Sequence, residues 1–130
     1  MDDHRTRVVL SPEVYVAATM LADGPPAALF NALMARRDDM VIALSPWLLD
    51  AIRDGMVANG YTADQAQKQA DFIAQLGVTF TPPTAGDQLA GLAEAAGVNE
   101  AFCAGRPTGT VVNGVAMKPV HELITRLGAA

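Results

Sequence analysis

Twice in its first half the chain runs a short apolar stretch into Ser-Pro and then into a second apolar stretch. These are "RVVLSPEVYVAA" from Arg7 and "MVIALSPWLLDAI" from Met40. Val8 to Leu10 and Met40 to Leu44 are unbroken apolar runs, the pattern of strands buried on both faces of a parallel sheet. Ser11 and Ser45 are then N-cap residues, and Pro12 and Pro46 take the first helical position. Glu13 falls in a first helical turn, where a carboxylate favours the helix dipole. A strand that hands over to a helix twice in this way predicts an α/β fold with a mostly parallel sheet.

The rest of the chain extends the alternation. Val14 to Leu21 reads as the first helix, broken at "DGPP" from Asp23. Ala27 to Arg37 follows as a second helix, with Leu29, Phe30, Leu33 and Met34 on one stripe. The helix after Ser45-Pro46 carries Leu48, Ile52 and Met56 and stops near Asn59-Gly60. Thr62 to Gln65 has the capping-box spacing and starts a helix that runs to about Leu76. Val78 to Phe80 reads as a short strand, Leu89 to Ala96 as a helix stopped by Gly97, and Glu100 to Ala104 as another strand. Asn113-Gly114 between apolar residues signals a tight turn. Val120, Leu123, Ile124 and Leu127 form a closing helical stripe. With 130 residues, no repeat and no linker, residues 1–130 read as one domain.

Composition narrows the function classes. The formal net charge of −5 argues against broad nucleic-acid binding, which needs a basic face. It does not exclude a local patch. A single cysteine, Cys103, forbids an internal disulfide and reads as a small buried hydrophobe. "MDDHRTR" lacks the apolar core of a signal peptide, and no run reaches the ~20 apolar residues of a membrane helix. The expectation is a cytoplasmic chain without a membrane partner.

Few residues carry chemistry. His4, Cys103 and His121 are too scattered for a zinc site. "AGRPTGT" lacks the lysine and spacing of a phosphate loop, and no nucleophile elbow is present. Carboxylates remain. Ligands of parallel sheets bind beyond the C-terminal ends of the strands. Glu13, Asp50 and Asp87 follow the first, second and third strands. Together they would offer hard oxygen ligands for Mg²⁺; separately they serve helix starts. Both readings stand at this level.

Over nearly the whole chain the order of features resembles the PIN-domain family, the metal-dependent ribonuclease fold, and within it the bacterial toxin component of toxin–antitoxin pairs. "VVLSPEVYVAATML" stands where the family has a strand ending in Asp-x-Asn and then a helix. "DGPPAALFNALMARRDDMVIALSPWLLDAI" matches its Gly-Pro turn, helix, strand and Ser-rich helix start. "GDQLAGLAEAAGVNEAFCAG" and "GVAMKPVHELI" are similar to its acid-bearing helix, fourth strand and closing strand with a Pro-started helix. The resemblance implies a PIN-like three-layer α/β/α sandwich around a mostly parallel sheet.

It also implies a degenerate site. The family's first-strand aspartate falls at Ser11 and its asparagine at Glu13. The glutamate of its second acidic position falls at Ala51, with Asp50 one place away. The aspartate opening the later helix falls at Asp87 or Gly86, and the last at Gly105 or Arg106. Glu13 and Asp87 are the metal ligands the pattern retains, with Asp50 as a possible assistant. The expected function is a non-catalytic binding module whose partner is an antitoxin-like protein, a second copy in a homodimer, or RNA. The alternatives are a divergent Mg²⁺- or Mn²⁺-dependent endoribonuclease and an unrelated doubly wound binding domain.

Overall fold

The computed structural model describes residues 5–21, 23–82, 86–105 and 107–128. Within them the chain is a mixed α/β structure of six strands and six helices. In order these are β1 (Thr6–Val8), α1 (Pro12–Met20), α2 (Pro25–Ala35), β2 (Met40–Leu44), α3 (Pro46–Ala58), α4 (Ala63–Ala74), β3 (Gly77–Thr79), α5 (Gln88–Ala95), β4 (Glu100–Cys103), β5 (Thr110–Val112), β6 (Val115–Pro119) and α6 (Val120–Leu127).

β1, β2 and β3 form a parallel sheet in that order, with Val8 opposite Ile42 and Ile42 opposite Gly77. β4, β6 and β5 form a second sheet, β4 parallel and β5 antiparallel to β6. The chain beyond β1 joins the two. Leu10 makes a parallel bridge to Phe102, the Phe102 N–H donates to the Val9 carbonyl, and the Ser11 N–H donates to the Phe102 carbonyl. The strands therefore lie in the order β3-β2-β1-β4-β6-β5. The chain winds outward from β1 to β3, then returns to the other side of β1.

The expected first strand, Val8 to Leu10, is thus shifted. The β1–β2 pairing covers Thr6–Val8, and Val9 and Leu10 turn their backbone toward β4 instead. The second strand is as read, and the third runs one residue earlier than expected. Its first residue is Gly77, where a Cβ would collide with the Ile42 carbonyl oxygen. The capping box of α4 is complete: Thr62 Oγ1 accepts from the Gln65 N–H, and Gln65 Oε1 accepts from the Thr62 N–H. The Asn113-Gly114 turn joins β5 to β6, with φ of 51° and 81° at its two residues. Those are the left-handed values a two-residue hairpin demands.

The core is aliphatic. Val9, Leu10, Ile42, Leu44, Leu48, Ile52, Leu89, Leu92 and Leu123 are fully buried, joined by Tyr15 and Phe102. Burying each Leu or Ile contributes about 1.5–3 kcal/mol. Pairing among the helices sets the molecule's grooves: α1 packs on α2 and α3, α3 on α4, and α2 on α6. Among the described residues no helix is long and apolar enough to cross a membrane.

Candidate functional site

The strand order reverses between β1 and β4, and a doubly wound sheet binds its ligands at such a point. Two segments meet there: Ser11-Pro12-Glu13 after β1, and Ala104-Gly105 after β4.

Ser11 is 0% exposed. It occupies the N-cap position of α1, but its side chain makes no cap bond. The local donor is already taken, since the Val14 N–H donates to the Ser11 carbonyl at 3.1 Å. The Ser11 Oγ accepts instead from the Ala104 N–H at 3.2 Å, across the reversal point. The expected side-chain cap is therefore replaced by a long-range tie. With the Ser11 N–H on the Phe102 carbonyl, both backbone and side chain of one serine bind the β1 end to the β4 end.

Glu13 lies in the first turn of α1, half-buried. A Cβ on Gly105 would stand 3.2 Å from Glu13 Cγ, and Gly105 has φ 70°. The second segment thus passes close over Glu13 in a conformation that favours glycine. Arg106 lies outside the described residues.

The remaining acids are elsewhere. Asp50 is exposed, pairs with Arg53 at 3.3 Å, and lines a hollow against α4 with Gln67 and Asp71. Its neighbour Ala51 faces the other way, into a groove that Glu13 also lines. One residue turns a helix by about 100°, which separates the two positions. Asp87 is the N-cap of α5, where Oδ1 accepts from the Ala90 N–H at 2.9 Å. Gly86 beside it lies against the side chain of Asn113, in the turn that precedes β6. Because β6 runs parallel to β4, that turn is at the end of the sheet opposite Ser11. Five residues of strand, about 16 Å, separate the two ends. Among the described residues, no three of His, Cys, Asp and Glu are grouped to hold a metal ion. Cys103 is buried at the end of β4, and His121 is exposed in the first turn of α6.

The sequence did not disclose a groove between α1 and α3, about 540 Å³ in volume. It begins at Pro12 and Glu13, runs past Val16, Ala17, Trp47 and Ala51, and ends at Met20, Leu21 and Asn59. Among the described residues Glu13 is the only charged one lining it. Leu21 is 60% exposed and Met20 39%. The missed signal was the joint spacing of Val16, Met20, Trp47 and Ala51, small and large apolar side chains on facing helix flanks.

A four-residue ion network lies apart from both features. Glu100 accepts from Lys118 Nζ at 2.7 Å and from Arg126 Nη1 at 2.9 Å, and Glu122 pairs with the same two cations. Burial would raise the Glu100 carboxyl, but the hydrogen bonds from Arg126 and Lys118 outweigh it and hold the group below its ordinary range. Comparison with known proteins finds no matching family model and no matching curated protein.

Proposed function

We propose that the chain is a PIN-like domain, of the type found in toxin–antitoxin toxins, that has given up its metal centre and acts by binding a protein. One observation carries the reading. The position where the family would hold its central aspartate is Ser11, and the Ser11 hydroxyl is buried and engaged by the Ala104 N–H. A neutral side chain that ties two strand ends together is a structural element, and a carboxylate buried in its place would carry a desolvation penalty. The strand order, with β1 between β2 and β4, supports the fold part of the proposal.

The groove between α1 and α3 supports a protein partner over RNA. Among the described residues its walls are apolar and its one charged lining residue is acidic, so they offer a phosphate backbone no cation. An antitoxin-like apolar segment suits it. Trp47, the chain's one tryptophan, lines the groove and reports on its occupancy. A blue shift of Trp47 emission on raising the protein concentration would assign the groove to a second copy. An unchanged spectrum leaves it to a different protein.

The alternative is a divergent Mg²⁺- or Mn²⁺-dependent endoribonuclease, favoured only by Glu13, a carboxylate at the reversal point. The test is incubation with single-stranded RNA and Mn²⁺. The binding-module reading expects no cleavage beyond that of a Glu13→Ala control. Metal-dependent cleavage that Glu13→Ala and Asp87→Ala both abolish would replace it with the nuclease.

A further inference from the structure

The chain contains two Asn-Gly pairs, Asn59-Gly60 and Asn113-Gly114, and all four residues are exposed. An asparagine before a glycine is open to attack by its own chain. The glycine nitrogen can reach the asparagine side-chain carbonyl carbon, and no Cβ on the glycine obstructs it. The two pairs differ in what the fold does with the reacting atoms. Asn59 is the C-cap of α3. Its Nδ2 donates to the Gly55 carbonyl at 2.7 Å, and the Gly60 N–H donates to the Val57 carbonyl at 3.1 Å. Both reacting groups are therefore held. At the β5–β6 turn, among the described residues, neither the Asn113 side chain nor the Gly114 N–H makes a hydrogen bond. That turn is held only through its strands, where Val112 stands opposite Val115. β5 is three residues long at the edge of its sheet, and Val111 is 69% exposed. An exposed edge of this kind opens locally at less cost than a core element. Asn113 has φ 51°, and left-handed backbone keeps the next nitrogen turned away from the residue's own side chain. Reaction at Asn113 therefore waits on opening of the turn.

We propose that Asn113 is a site of spontaneous deamidation gated by opening of the β5–β6 hairpin, and that Asn59 is protected by its helix end. The Gly114 nitrogen forms a bond to Asn113 Cγ, the Cγ–Nδ2 bond breaks, and Nδ2 leaves as ammonia with the Gly114 amide proton. Water then opens the resulting cyclic imide at either carbonyl. One opening leaves aspartate in an ordinary backbone. The other leaves isoaspartate, whose backbone runs through Cγ and is one carbon longer. Both products add a negative charge, but only the second lengthens the turn. Turn geometry fixes the register of a two-residue hairpin, so the isoaspartate form cannot restore the pairing of Val112 with Val115. A brief opening of the sheet edge is thereby made permanent.

The test is storage of the full chain at mildly alkaline pH, followed by peptide mapping with mass spectrometry. Asn113 should convert to the acid about tenfold faster than Asn59, the worth of the two hydrogen bonds that hold the second pair. In denaturant, where neither pair is held, the two rates should converge. Equal rates in the folded chain, or faster conversion at Asn59, would overturn the proposal. So would a folded chain in which Asn113 stays intact while the denatured chain converts. The isoaspartate form should lose hydrogen-exchange protection along β5 and β6. Asn113→Asp supplies the charge with an ordinary backbone and should keep that protection, since Asp-Gly suits the same turn. An equal loss in the variant would assign the effect to charge and end the claim that the longer backbone holds the hairpin open.

Discussion

Ser11 and Ser45 each follow a parallel strand, each precede a proline at the first helical position, and each are 0% exposed. Their hydroxyls nevertheless do different things. Ser45 Oγ accepts from the Leu48 N–H at 3.1 Å, a helix cap closed within three residues. Ser11 Oγ accepts from the Ala104 N–H, 93 residues away. The strands explain the difference. At the end of β2 the neighbouring Phe80 N–H donates to the Leu44 carbonyl, and the Ser45 hydroxyl turns to its own helix. The chain leaving β1 runs beside β4, whose end brings a backbone donor to Ser11. A serine before a proline is therefore a local device in one place and a tertiary fastener in the other.

The largest expected effect comes from an aspartate at the fastener. Ser11→Asp places a carboxylate where no cation is available among the described neighbours, and should cost at least about 3 kcal/mol of unfolding free energy. The carboxyl would be shifted upward by burial. The deficit should therefore be greatest at neutral pH and shrink as the pH falls and the group takes up its proton. Ser45→Asp should cost less, because the new carboxylate inherits a first-turn donor of its own helix, the Leu48 N–H, whereas at Ser11 the Val14 N–H is already given to the Ser11 carbonyl. Denaturant unfolding of the two variants side by side checks this order, and equal losses would erase the distinction drawn here.

Ser11→Ala should cost about 1–3 kcal/mol, since it leaves the partly buried Ala104 N–H without an acceptor. Ser45→Ala should cost about 1 kcal/mol, the usual value of an N-cap. Hydrogen exchange separates the two more sharply than stability does. Protection should fall at Ala104 and along β4 in the first variant, and at Leu48 in the second. A loss at Ala104 in both variants would mean that the fastener is not specific to Ser11.

The smallest effect should come from the ion network, which belongs to neither junction. Glu100→Gln should cost less than about 1 kcal/mol at neutral pH, because its partners are substantially solvated. The native Glu100 carboxyl is held below its ordinary range, so its contribution is present above the unfolded value and lost as pH falls through the folded one. Unfolding curves of wild type and Glu100→Gln should therefore converge in acid. A gap that widens in acid would reverse the assignment of the cause.

What the sequence disclosed follows the same division between local and distant bonds. The capping box at Thr62, the buried run of Met40 to Leu44 and the Asn113-Gly114 turn are each set by residues within a few places of one another, and each stands where the pattern puts it. The shift of β1 and the role of Ser11 depend on Phe102 and Ala104, and no local pattern around Ser11 names either residue. The acids divide likewise. The first-turn place of Glu13 and the cap role open to Asp87 are local and were legible. That Asp87 lies near the β5–β6 turn rather than near Glu13 depends on the path of the chain after β3. The α1–α3 groove arises from helix packing, which periodicity alone does not locate.

The measurement closest to the central claim is a calorimetric titration of the wild-type chain with Mn²⁺. If Ser11 is a fastener at a reversal point without a metal centre, the titration should show no saturable heat up to millimolar Mn²⁺. Stoichiometric, tight binding that Glu13→Ala abolishes would contradict the account and favour the metal-dependent nuclease alternative.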